Sequence, residues 1–152
     1  SEDMGHNDDA EVSRLLNHPR VHIGASDGGA HILSLSTYGD TGYLLGHFVR
    51  DKALLGLEQA IKKITSDTAS IWGIAERGLL QSGYVADIAI FDPAKIDRGA
   101  EYFTQDVPGD GSRYVRDAIG MDTVLVGGAV AWSAADGYSA SARGKVLPGA
   151  RL

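Results

Sequence analysis

Apolar positions recur along this chain with two different periods, and the change between them divides it. From Asp8 to Asn17 the residues Val12, Leu15 and Leu16 follow the i, i+3, i+4 spacing of an amphipathic helix, with acidic residues at its start and His18-Pro19 as its stop. Val21-His22-Ile23-Gly24 then predicts a short strand, buried on both faces, and Ser26-Asp27-Gly28-Gly29-Ala30-His31 a polar, glycine-rich turn at its carboxyl end. After a loose segment from Ser34 to Thr41, helices are predicted from Gly42 to Asp51 and from Gly56 to Ile64, the second with Leu57, Ala60, Ile61 and Ile64 on one face. Thr65-Ser66-Asp67 offers an N-cap for a third, short helix from Thr68 to Trp72, closed by Gly73.

Beyond Gly78 the spacing becomes that of strands. Leu79 to Tyr84 reads as a turn region, and Val85 to Phe91 as a strand ended by Asp92-Pro93. Residues 94 to 118 have weak periodicity and contain Pro108-Gly109-Asp110-Gly111-Ser112, which predicts a long surface excursion. Thr123 to Val126 and Ala129 to Trp132, joined by Gly127-Gly128, have the pattern of a tight hairpin. The stretch from Ala134 to Leu152 is small, polar and glycine-rich, and its end is expected to lie exposed or draped over a partner surface.

Composition narrows the function classes. The formal net charge of −6 comes without basic clusters, which argues against nucleic acid and against an anionic membrane surface as partners. Apolar runs stay far short of the roughly 20 residues that span a bilayer. With no cysteine in the chain, disulfides, thiolate ligands and a cysteine nucleophile are excluded from this segment, and a cytoplasmic setting is the default. The opening residues, Ser-Glu-Asp-Met-Gly-His, lack the basic and apolar regions of a signal peptide and read like a chain interrupted within a protein.

Asp27 carries the sharpest chemical signal. A carboxylate at the carboxyl end of a short strand is where barrel and α/β enzymes place catalytic groups, and Gly28 and Gly29 would let a substrate approach the backbone. Asp-Gly-Gly is equally the composition of an ordinary turn. Two uses are open to His31: bonding substrate or orienting Asp27, and structuring its own turn. Tyr38 and Tyr43 follow the loop, either lining a substrate pocket or anchoring the chain. For His47 packing or surface exposure is the reading, and for His22 a satisfied core histidine. His6 and His18 flank helix ends and carry no functional expectation. Asp87 and Asp92 are expected to bind backbone amides near turns, and Glu76-Arg77 to form a solvated pair.

Asn17 through His31 resembles the last barrel strand of amidohydrolases of the D-aminoacylase (N-acyl-D-amino-acid deacylase) type. Tyr43-Leu44-Leu45-Gly46-His47-Phe48-Val49-Arg50 resembles the helix after that strand, and Leu57 through Ala69 the next helix and cap. Arg77 through Pro93 is similar to the strand by which such enzymes return to a small β-sandwich, and Gly120 through Gly128 to its closing hairpin. The likeness spans nearly the whole chain and is weakest at residues 94 to 118 and after 133.

This resemblance implies an α/β fold: residues 1–78 as the C-terminal part of an amidohydrolase TIM barrel, with its last strand and helices, and residues 79–152 as C-terminal strands of a composite β-sandwich and tail. A TIM barrel takes about 250 residues, so the chain would be a fragment. It implies hydrolysis of a linear amide, such as an N-acyl-D-amino acid, as the small-molecule substrate. Asp27 would be both the catalytic proton-transfer residue and a metal-site carboxylate, with Gly28, Gly29, His31 and Tyr43 at the substrate. Zinc or another divalent metal is implied for the complete enzyme, its other ligands on earlier strands, so none is expected on this segment alone. The N-terminal remainder of the same chain is the implied partner. Without it, the strands would stay poorly packed or bury their edges by self-association. Two alternatives stand beside this reading: a cyclic-amide enzyme of the dihydroorotase or hydantoinase kind, and a non-catalytic interaction module in which Asp27 is only a turn residue.

Overall fold

In a computed structural model of the chain, residues 8–24, 26–34, 36–141 and 144–147 are described. The architecture is α/β, with helices in the first half and antiparallel sheets in the second. Helix α1, Asp9–Leu16, is capped by the Asp8 carboxylate, which accepts from the Ala10 and Glu11 amides. Val12 and Leu16 face the core, whereas Leu15 is exposed.

Helix α2, Asp40–Tyr43, continues without interruption as a π-helical stretch, Leu44–Asp51. The second long helix begins as α3, Leu57–Lys62, widens to π-helical geometry over Lys63–Asp67 and ends as α4, Thr68–Ile71. The cap expected at Thr65-Ser66-Asp67 does not form. Asp67 is helical at φ −66° and its side chain caps nothing, because the burial of Ala60 and Ala69 on one continuous helix outweighs the local capping preference. Gly73, at φ +64°, ends this helix as expected.

Val21–Gly24 joins no sheet among the described residues. Val21 and Ile23 are half-buried while His22 and Gly24 are exposed, so the alternation of a strand is present but the hydrogen-bonding neighbour is not. His22 is therefore no core histidine here.

Among the described residues the second half holds three small sheets. Strands β1 (Ile88–Phe91), β6 (Met121–Val126), β7 (Ala129–Ser133) and β8 (Gly137–Tyr138) form one sheet in the order β1-β6-β7-β8. The predicted two-glycine hairpin is β6–β7, with Gly127 and Gly128 both at positive φ, as a tight primed turn demands. Strand β1 is shorter than predicted. Ala86 is bound instead through its carbonyl to the Gly128 amide, and Val85 through its amide to the Glu76 carbonyl.

Residues 94 to 118 are not a surface excursion. Strands β2 (Asp97–Arg98) and β5 (Ala118–Ile119) pair with each other, and β3 (Tyr102–Val107) pairs with β4 (Gly111–Val115) around Pro108-Gly109-Asp110. Without a clean alternation of half-buried and exposed side chains these strands have a weak periodicity, and their pairing supplies what the pattern lacks.

The core joins both halves. Leu44, Leu45, Phe48, Leu55 and Ala60 come from the helical side and Ile96 from the loop before β2, with Phe91 and Met121 of the sheet packed around them. Arg50 fixes this junction, donating to the Ile96 carbonyl at 2.6 Å and to the Asp97 carboxylate at 2.9 Å. No helix among the described residues is long and apolar enough to cross a membrane.

Candidate active-site loop

Asp27, Gly28, Gly29 and His31 lie together on one exposed loop. The Ala30 amide donates to the Asp27 carbonyl at 2.8 Å and the Ser34 amide to the His31 carbonyl at 2.8 Å, making two successive turns. Gly29 takes φ +98° and His31 φ +50°, the latter in the left-handed region that histidine enters more readily than most residues. Ser26 tightens the first turn by accepting the Gly28 amide at 3.1 Å on its hydroxyl. The Asp27 side chain makes no hydrogen bond or ion pair within the described residues, so its carboxylate faces outward while its backbone is held.

What holds the loop comes from the hairpin β3–β4 and the residues that flank it. The Tyr114 amide of β4 donates to the Ile32 carbonyl at 2.8 Å. Farther along, the Ser36 amide donates to the Glu101 carboxylate at 2.9 Å, and Arg116 reaches the same carboxylate oxygen at 3.5 Å. Tyr38 lies against the turn itself: a β-carbon on Gly28 would stand 3.2 Å from its ring. Next to Tyr38 is Arg113 of β4, whose two-pronged bond to Asp106 at 2.7 Å keeps its guanidinium charged above its ordinary range, with a smaller contribution from Tyr38.

Tyr43 is not on this loop. It belongs to α2, stacked on His47 with 4.6 Å between ring centroids, edge-on to Phe48, and covered by the Arg98 guanidinium 4.0 Å above the ring. His47 packs in the same aromatic group and bonds Asp9 at 3.0 Å through Nε2. Asp87 and Asp92 do bind turn amides: Asp87 accepts from Gly127 at 2.7 Å and Asp92 from Ala94 at 2.9 Å. Arg77 pairs with Asp87 rather than with Glu76. His18 accepts the Arg20 amide at 3.2 Å, and His6 lies outside the described residues.

The residues that sequence reasoning passed over are Arg113 and Tyr114 of the hairpin, Glu101 and Arg116 that flank it, and Lys63. Pro-Gly-Asp-Gly between two runs rich in Tyr, Phe, Val and Thr was the available signal for the hairpin.

The described residues do not by themselves fit a metal site. No three His, Asp or Glu side chains converge among them, whereas a catalytic zinc takes about three protein ligands.

The geometry gives an α/β chain that presents the Asp27 carboxylate on a backbone-pinned loop, and comparison supplies the family. A profile of the amidohydrolase family matches residues 5–131, and the chain belongs to that family. It is 36% identical over 142 residues to a D-aminoacylase of Alcaligenes xylosoxydans xylosoxydans, covering 92% of this chain and 27% of that protein. An N-acyl-D-aspartate deacylase of the same organism is 33% identical over 129 residues, covering 82% of this chain and 24% of the relative. A D-aminoacylase mutant solved in complex with copper chloride superposes with a TM-score of 0.65 at 32% identity, over 92% of this chain and 28% of that one. The chain thus spans about a quarter of the length of the relatives it matches.

Proposed function

We propose that this chain is the C-terminal part of a metal-dependent amidohydrolase that hydrolyses a linear amide such as an N-acyl-D-amino acid. The observation that carries the reading is the 36% identity to a D-aminoacylase along 92% of the chain, a span that leaves the Asp27 loop within an otherwise matching segment. The two relatives described above, matched over most of this chain, bear the names of linear-amide deacylases, which favours this substrate class over cyclic amides.

In this reading residues 1–78 complete a TIM barrel and residues 79–152 complete a small β-sandwich, each with strands from the remainder of the protein. Val21–Gly24, which has no sheet neighbour among the described residues, is the segment that would pair there. An independent interaction module would need a sealed core, whereas the helices and sheet leave between them an apolar cavity of about 920 Å³ lined by residues such as Leu45, Ile64, Leu79 and Phe91.

Asp27 takes a proton from the attacking water and returns it to the leaving amine, the work of a carboxylate that is fixed in place yet free at its oxygens. Gly29 leaves the substrate room beside the loop, whereas the side of Gly28 is taken by Ser26 and Tyr38, and His31 stands next to it. Tyr43 acts through packing, and Tyr38 is the aromatic side chain at the turn. A divalent metal in the complete protein would draw its remaining ligands from outside this chain, with Asp27 as the contribution from this side.

Asp27→Asn in the complete protein tests the assignment, because the amide keeps the shape of the side chain and cannot accept the proton. The expected loss of turnover is about a hundredfold to ten-thousandfold, with the fold and most of the metal retained. Turnover within a few-fold of the parent would return Asp27 to the role of a turn residue.

A further inference from the structure

Lys63 is buried, with 5% of its surface exposed, at the first position of the π-helical stretch. Its ammonium donates to the Val21 carbonyl at 2.7 Å and to the His18 carbonyl at 3.3 Å. No carboxylate among the described residues stands within ion-pair distance of it. Burying an ammonium without a counter-charge is costly. A methionine would fill similar space without that cost, so packing alone does not account for a lysine here. What methionine lacks is the ability to hold two carbonyls.

Both carbonyls belong to the stretch where the chain leaves α1 and heads for Asp27. His18 follows the C-cap residue Asn17, near the negative pole of α1, and its carbonyl also accepts the Val21 amide at 3.1 Å. Val21 stands six residues before Asp27 and opens the segment that has no sheet neighbour among the described residues. Lys63 itself is fixed, since the Thr68 hydroxyl bonds its carbonyl at 2.8 Å. The long helix thus grips the approach to the loop from below, while β4 grips its far side at Ile32.

We infer that Lys63 is a positioning residue: its ammonium fixes the path of residues 18 to 24 and, through it, the place of Asp27 against the substrate. The inference rests on the role proposed above for Asp27. It differs from a role in stability alone, because a displaced carboxylate lowers turnover without weakening substrate binding, and only while the carboxylate is present.

The test is a double-mutant cycle in the complete, metal-loaded protein with an N-acetyl-D-amino acid as substrate. Lys63→Met is expected to lower kcat by about tenfold to a hundredfold with KM nearly unchanged, and to cause no further loss in the Asp27→Asn background. Equal losses in both backgrounds, or a loss carried by KM, would overturn the inference and leave the role of Asp27 standing. So would a harmless Lys63→Met beside an inactive Asp27→Asn. Near-parental turnover of Asp27→Asn would remove the Asp27 reading and this inference with it. Lys63→Gln, which keeps N–H donors on a shorter stem, enters the same cycle with an intermediate loss expected, and decides the matter if methionine is not accommodated. Hydrogen exchange supplies the accompanying structural readout: the Val21 amide should exchange faster in both variants, with protection across Leu57–Ile71 unchanged.

Discussion

At Gly29 the backbone adopts a conformation that a β-carbon opposes, and the Asp27–Ala30 hydrogen bond closes around it. Gly29→Ala is expected to cost about 1–2 kcal/mol at this turn, the scale of forcing an L-residue into left-handed geometry. Because the loop is exposed and edges no core, the loss should stay local. Hydrogen exchange should therefore show a faster Ala30 amide with the helices unaffected, and turnover of the complete protein should fall. An unchanged Ala30 exchange rate would mean that the turn does not depend on glycine there. The carboxylate and its glycines were legible in the sequence because turn chemistry is local: Asp, Gly and Gly specify the same bend in any surroundings. Tyr38 and Tyr43 could not be told apart in this way, since five residues separate them and only tertiary packing puts one against Gly28 and the other against His47. Lys63 was hidden for the same reason. A lysine on an amphipathic helix reads as solvated until carbonyls 42 and 45 residues away are found around it.

Helix α1 shows how a correctly predicted element can depend on charges that its own pattern does not reveal. Its apolar stripe places Val12 and Leu16 on the core, but the first turn is tied to the neighbouring helix by Asp9, which bonds His47 at 3.0 Å and Lys52 at 3.2 Å. His47 first and Lys52 second hold the Asp9 carboxyl below its ordinary range. A carboxyl depressed by folding stabilises the folded state fully above its unfolded value and loses that contribution as pH falls through the lower folded one. The Asp9 contribution to docking of α1 should accordingly be lost as pH falls below about 4. Amide exchange across Asp9–Leu16, measured against pH, should reveal this. Asp9→Asn should loosen the helix already at neutral pH and flatten the acid dependence. An identical acid response in that variant would place the titration elsewhere. The hairpin β3–β4 was the element least legible beforehand, because its strands are half-exposed on both faces and give no clean alternation. The helices were legible because their apolar faces are wide. Their π-helical widening was not, since it reflects i→i+5 bonding rather than any residue preference.

Taken as a whole, the molecule exposes apolar surface where its two halves meet. The sheet order leaves β1 with one unpaired edge among the described residues, and that edge borders the cavity between sheet and helices. Leu80 on the rim is 87% exposed, and Trp72 at the end of α4 is 67% exposed. An open strand edge beside apolar side chains is a template for another strand. In the complete protein that strand would come from elsewhere in the same chain. The purified 152-residue chain has only other copies of itself to offer, so its sedimentation should shift with concentration towards dimers or larger species. Adding the remainder of the protein as a separate polypeptide should suppress that shift. The same preparation should hold less than one zinc per chain by elemental analysis, because association buries β1 without bringing three ligands to Asp27. A concentration-independent monomer with strongly protected amides across both Val21–Gly24 and Val85–Phe91 would mean that these edges are already satisfied. Such a chain would be a self-sufficient domain, and the interaction-module reading would then displace the hydrolase segment, since nothing in its fold would still call for the missing strands.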